Sequence, residues 1–274
     1  LMSFNNVAML RGGDASLIAT DRRGVVTGLT SEGAIAWEFH THRERIWRAT
    51  GVGPCSVGDL DSDGRDEVFF SASDGRLYCL DADGAFRWNV YIGLNSQWSS
   101  HVLVDLGDGP CVVAGGTGDV LRCIGPDGAV RWTQRGVGAG FIETVISVGD
   151  IDGDGRDEIV FPHQGRAIQA VDSDGALLWS TVEYTGGDSP FGPSIGDVNG
   201  DGKLELLFPH RHNTKLRVLD ANGGLLEEHN VPKGVESAPV IGDVDGDGRL
   251  EVLCVTQNDG ELTCYRTEAS TDSD

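Results

Sequence analysis

The sequence predicts an all-β chain, a β-propeller of about six four-stranded blades, on three observations. An acidic phrase occurs as Val57-Gly58-Asp59-Leu60-Asp61-Ser62-Asp63-Gly64 and recurs with first aspartates at Asp150, Asp197 and Asp243. The spacings of 91, 47 and 46 residues fit one period, because a degenerate copy, Val104-Asp105-Leu106-Gly107-Asp108-Gly109, falls midway in the longest. A second phrase travels with it, an acidic Gly turn followed four residues on by a tryptophan: Gly33/Trp37, Gly84/Trp88, Gly128/Trp132 and Gly175/Trp179. Each unit also reads as short apolar or alternating segments separated by Asp- and Gly-bearing turns, the pattern of antiparallel strands.

Six units of about 46 residues nearly exhaust the 274 residues as one domain, 1–274. The blades are expected at 1–50, 51–98, 99–144, 145–191, 192–237 and 238–274. The first starts late, at Val7-Ala8-Met9-Leu10, and has a reduced turn, Arg11-Gly12-Gly13-Asp14. The second is complete, with Glu67-Val68-Phe69-Phe70, Arg76-Leu77-Tyr78-Cys79-Leu80 and a Trp88 strand. The third has a shortened acidic loop, and in the fifth Gly223 is followed by Glu227 instead of tryptophan. The sixth keeps its loop, Glu251-Val252-Leu253-Cys254 and Leu262-Thr263-Cys264-Tyr265, but has no tryptophan strand. Residues 1–6 are expected to supply that outer strand unless it is missing, and seven blades remain the alternative if the chain is a fragment.

Composition narrows the function classes. Glycine accounts for 40 residues and aromatics for 7%, and no apolar run approaches the ~18 residues of a membrane span, which excludes a helical bundle and a transmembrane helix. A net charge of −22 repels polyphosphate, so nucleic acid is not an expected partner. The six cysteines show no CxxC spacing. Cys254 and Cys264 flank Asn258-Asp259-Gly260, and a cross-hairpin disulfide there stays open beside two free thiols. The amino terminus, Leu1-Met2-Ser3-Phe4, has neither the basic n-region nor the apolar h-region of a secretion signal. An extracellular or periplasmic monomer, its signal absent or removed, is expected.

Oxygen donors at alternate positions of a tight turn converge on one point, which suits a hard cation, calcium above all. The expected ligands in the second unit are Asp59, Asp61, Asp63, the Arg65 carbonyl and Glu67. The corresponding sets are Asp150, Asp152, Asp154, Arg156 and Glu158; Asp197, Asn199, Asp201, Lys203 and Glu205; and Asp243, Asp245, Asp247, Arg249 and Glu251. Clustered carboxylates repel unless a counter-ion holds them. About four structural Ca²⁺ would bring the formal charge from −22 to −14. No metal is expected in the first and third units.

The Gly-Asp-h-Asp-x-Asp-Gly-x-x-Glu-h-h phrase (h, apolar) within ~46-residue repeats resembles the integrin-α-like FG-GAP/VCBS propeller family over nearly the whole chain. The resemblance implies a calcium-braced propeller, commonly extracellular, used for adhesion, for carbohydrate binding or as the scaffold of some polysaccharide lyases. One departure is Glu at the ninth position in place of the usual Asp. The tryptophan phrase is similar to the docking repeat of quinoprotein propellers and implies a structural role.

Propeller topology places the acidic loops on one face and gathers aromatics, histidines and arginines on the other. The latter include His40 to Arg48, Tyr91 to Trp98, His101, Arg135 and Tyr184. The turns Phe161-Pro162-His163 and Phe208-Pro209-His210-Arg211-His212 join them. Arginine forks beside aromatic rings suit an anionic polysaccharide. The expected function is calcium-stabilised binding of carbohydrate or an extracellular protein. One alternative is a polysaccharide lyase, with His163, His210 or His212 as base, Tyr184 as acid and Arg45 neutralising a uronate. Another is a scaffold domain of a larger secreted protein.

Overall fold

A computed structural model describes residues 4–21, 23–41, 51–93, 99, 101–116, 120–135, 142, 145–163, 167–181, 192–210, 214–231, 234–235, 237–256 and 260–266. The described residues form strands and turns with no helix, hence none long and apolar enough to cross a membrane. The chain divides into two compact units, Leu1–Glu143 and Thr144–Asp274.

The first unit holds three four-stranded antiparallel sheets. They are β1 (Phe4–Met9) to β4 (Ile35–His40), β5 (Val52–Gly58) to β8 (Phe86–Tyr91), and β9 (His101–Asp105) to β12 (Val130–Arg135). The second strand of the middle sheet is β6 (Glu67–Ala72) and the third is β7 (Arg76–Leu80); β10 (Pro110–Gly116) and β11 (Val120–Ile124) are the equivalents in the next. First strands of consecutive sheets lie side by side, β1 against β5 and β5 against β9, as blades do.

The second unit repeats the plan with two four-stranded sheets and one of three strands. They are β13 (Ser147–Gly149) to β16 (Leu177–Thr181), β17 (Ser194–Gly196) to β20 (Leu225–Asn230), and β21 (Val240–Gly242), β22 (Glu251–Val255) and β23 (Leu262–Arg266). Within the first two, β14 (Glu158–His163), β15 (Ala167–Val171), β18 (Glu205–His210) and β19 (Lys215–Leu219) are the middle strands.

β6 is buried at every residue because it lies between two neighbouring sheets, and period-2 alternation sends its successive residues to different cores. Val68, Phe70 and Leu80 pack with Ile18 and Val26 of the preceding sheet, whereas Phe69, Leu77 and Trp88 pack with Val112 and Ile124 of the following one. The tryptophans lock neighbouring blades. The indole of Trp37 donates to the Ala82 carbonyl (3.3 Å), Trp88 to Pro126 (2.9 Å) and Trp179 to Ala221 (2.7 Å), in each case in the acidic Gly turn of the next blade.

One expectation is corrected and one left open by the sequence is answered. Phe4–Met9 pairs with β2 (Leu17–Asp21) as the first strand of the first sheet, so residues 4–6 do not complete the sixth, which has three strands among the described residues. Cys254 pairs with Thr263 and Cys264 with Leu253. That one-residue offset turns the two sulfurs to opposite faces, one buried and one exposed, and both thiols are free.

A contact between the first two blades lay outside the repeat logic. The buried Asp66 carboxylate accepts three hydrogen bonds from Arg11: the backbone N–H at 2.8 Å, Nε at 3.2 Å and Nη2 at 3.0 Å. The Asp66→Ala change leaves the Arg11 donors without that acceptor. Because the Arg11 side chain is exposed and water can replace the lost acceptor, only a small drop in the urea midpoint is expected.

Candidate functional site

Each acidic loop joins the first and second strands of its blade, β5–β6, β13–β14, β17–β18 and β21–β22. Four copies fold the same way because the hydrogen bonds are local. The first-position aspartate accepts from the glycine amide five residues on: Gly64 to Asp59, Gly155 to Asp150 and Gly202 to Asp197 at 2.9 Å, and Gly248 to Asp243 at 3.0 Å. Glycine serves there because the backbone is left-handed, with φ between 84° and 89° at Gly64, Gly155, Gly202 and Gly248. The ninth-position glutamate is buried, and its Oε2 accepts from a loop amide: Leu60 to Glu67 (2.8 Å), Ile151 to Glu158 (2.9 Å), Val198 to Glu205 (3.0 Å) and Val244 to Glu251 (3.0 Å).

These contacts bring the first, third and ninth positions together. In the groups Asp59/Asp61/Glu67, Asp150/Asp152/Glu158 and Asp243/Asp245/Glu251, one carboxylate oxygen from each residue lies within 4.8 Å of the others. The fifth-position aspartates bond instead to the amide of the residue two further on: Arg65 to Asp63, Arg156 to Asp154 and Lys203 to Asp201 at 2.8 Å, and Arg249 to Asp247 at 2.9 Å. In the fifth blade the Asn199 amide donates to Glu205 Oε1 at 3.1 Å, while its Oδ1 accepts from the Asp201 amide.

The strain of packing carboxylates shows in their proton affinities. Burial first, then the charges of Asp152 and Asp154, push Glu158 up to about 7 against the opposing Ile151 bond. Burial likewise raises Glu67 and Glu205. An all-oxygen donor set around uncompensated negative charge fits a hard divalent cation, and Asp150, Asp152 and Glu158 meet that description.

The other face is described only in part. Arg45, Tyr184 and His212 lie outside the described residues, as do Trp47 and Trp98. His163 and His210 end β14 and β18, paired in register with Ala167 and Lys215. His101 is buried, donates through Nε2–H to the Phe69 carbonyl (3.1 Å), and is held neutral by burial, its pKa brought down to about 4. It is therefore part of the packing between blades and offers no cation to a ligand.

A feature not singled out from the sequence is Arg122. Register pairs Arg122 with Thr133 and Val120 with Arg135, so the two arginines sit diagonally on one face of the third sheet. Arg122 is half-buried, and burial together with the Arg135 charge lowers its pKa. No carboxylate bonds to either guanidinium among the described residues, in a chain of net charge −22. The exposed Tyr91 ring stands near Arg122. The signal in the sequence was two arginines at same-face positions of a predicted hairpin.

Comparison with known proteins places this arrangement. Residues 16–132 match a family model described as the lambda-carrageenase beta-propeller domain. Two lambda-carrageenases, from Pseudoalteromonas carrageenovora and a Pseudoalteromonas species, are each 33% identical over 131 residues, covering 46% of this chain and 12% of the enzyme. Among solved structures, Saccharomyces cerevisiae Sqt1 is 15% identical with a TM-score of 0.65, covering 98% of this chain and 76% of that one. The quinohemoprotein alcohol dehydrogenase of Comamonas testosteroni is 14% identical with a TM-score of 0.63, covering 92% and 51%. At those identities the likeness speaks for the fold. The chain is a β-propeller, related over under half its length to lambda-carrageenases whose own length it spans by about an eighth.

Proposed function

We propose that the chain is a calcium-stabilised, non-catalytic β-propeller module that binds an anionic polysaccharide of the carrageenan type as part of a longer, secreted carbohydrate-active protein. The observation that carries the reading is the lambda-carrageenase propeller match over residues 16–132. The Arg122/Arg135 pair supports it chemically, because two guanidiniums with no acid partner among the described residues can fork onto oxyanions such as sulfate esters. The acidic loops, read as the FG-GAP/VCBS kind, would hold the calcium, which when bound would neutralise the carboxylates and clamp the turn. This chain's own part is the donor set, Asp150, Asp152 and Glu158 being the plainest case.

Affinity electrophoresis through carrageenan and through a uronate polymer, with calcium present, tests the reading. Retardation in carrageenan is expected, with no rise in absorbance near 235 nm (about the wavelength of an unsaturated uronate) on incubation with either polymer. Arg122→Ala together with Arg135→Ala should weaken retention about tenfold, the equivalent of about 1.4 kcal/mol. Free migration of the unaltered protein in both gels would refute carbohydrate binding, and an absorbance rise lost in His210→Ala would move the assignment to the lyase.

A further inference from the structure

The four acidic loops differ in one respect that the repeat conceals. In the second blade a guanidinium occupies the cage: Arg87 Nη1 lies 2.6 Å from Glu67 Oε1 and Nη2 lies 2.7 Å from Asp61 Oδ2. In the sixth blade Arg266 does the same from a different strand. Its Nη2 is 2.7 Å from Asp245, 3.2 Å from Asp247 and 2.8 Å from Glu251, and its Nε also donates to Glu251 Oε1 at 3.1 Å.

The fourth and fifth blades carry neither device. The residue before the tryptophan position is Leu178 or Leu226 where the second blade has Arg87. Register sets Arg266 opposite Glu251, and continuing the β14–β15 and β18–β19 registers by one residue sets Asp172 and Asp220 there instead. Both aspartates turn to their own hairpins, where Oδ1 accepts two backbone amides each. Among the described residues no side-chain cation bonds to Asp150, Asp152, Glu158, Asp197 or Glu205.

We infer that Arg87 and Arg266 are built-in counter-cations that take the place of metal in the second and sixth loops, leaving the fourth and fifth as the metal-dependent pair. The inference rests on the calcium reading and corrects its stoichiometry from four to two. The physical reason is competition for the same oxygens. Asp61 Oδ2 and Glu67 Oε1 cannot donate fully to an ion while bonded to a guanidinium, and arginine cannot shed its charge to make room. Two cations in one cage would also repel at a few ångströms.

Calorimetric titration with calcium, run on the intact chain stripped with chelator, counts the sites. The unaltered protein should bind two ions, Arg87→Ala and Arg266→Ala three each, and the double variant four. A thermal measurement guards against variants that fold poorly without metal. In chelator, Arg87→Ala should melt below the unaltered protein, and calcium should raise its melting point by several degrees more than it raises the parent's. Four ions in the unaltered protein, or two in both single variants, would overturn the inference while leaving calcium binding in place. No ion bound by any of them would overturn the calcium reading as well.

Discussion

Replacing Trp88 with alanine should remove about 3–5 kcal/mol of stability, the range for deleting a large buried aromatic side chain. Trp88 is 9% exposed. Its ring lies 6.3 Å from Phe69 in a core shared with Val112 and Ile124, and its indole N–H is satisfied by Pro126 of the next blade. The substitution therefore opens a cavity between two sheets and leaves the Pro126 carbonyl without its donor. Gly128 completes the contact: its φ is +79°, and an added Cβ would lie 2.8 Å from Trp88 Cγ. Gly128→Ala should thus carry two costs, a left-handed backbone for a residue with a side chain, about 1 kcal/mol, and displacement of the ring. In a Trp88→Ala background the ring is gone and the backbone cost remains, together with the approach of the added Cβ to the retained Cβ of residue 88 at 2.9 Å. A double-mutant cycle by urea unfolding should show a coupling of about 1 kcal/mol or more, and strict additivity would mean that ring and turn do not bear on one another.

The metal-free protein should become less stable as pH rises from about 4.5 to about 7 at the fourth loop. Glu158 holds its proton up to about 7 in the folded chain, against 4.5 for the ordinary carboxyl. In that window the folded state binds more protons than the unfolded one, so stability falls with increasing pH, by about 1–2 kcal/mol once screening by solvent at the exposed loop is allowed for. His101 works in the opposite sense. Its folded pKa of about 4 lies below the ordinary 6.5, so its contribution is present above pH 6.5 and is lost as pH falls towards 4. The Glu158 effect is accordingly read as a difference between the unaltered protein and Glu158→Gln in chelator. The parent should gain about 1–2 kcal/mol relative to the variant between pH 7 and pH 5. A constant difference across that window would show that the carboxylate is not destabilised by its surroundings.

Much of the fold was legible because it repeats. The Gly-Asp turns, the apolar middle strands and the Trp37, Trp88 and Trp179 docks follow from local rules applied several times over, and local hydrogen bonds such as Gly64 to Asp59 need no distant partner. What the repeat could not reveal depends on residues far apart in sequence. Arg11 meets Asp66 55 residues on, and Arg87 reaches a loop 20 residues back to Glu67. The turn between Cys254 and Cys264 hid a one-residue offset, because flanking symmetry in the sequence does not fix register. The acidic loops share one phrase in sequence, Asn199 apart, yet charge compensation sorts them by side chains on neighbouring strands. Arg87 just before Trp88, against Leu178 just before Trp179, was the visible sign.

Thermal unfolding in millimolar calcium and in excess chelator bears most directly on the view that the acidic loops are cation cages. Each loop holding an ion at about 100 times its dissociation constant adds about 2.7 kcal/mol, so the melting temperature should rise by at least several degrees with calcium, and magnesium should replace it poorly. Coincident unfolding curves in calcium and chelator would contradict the account.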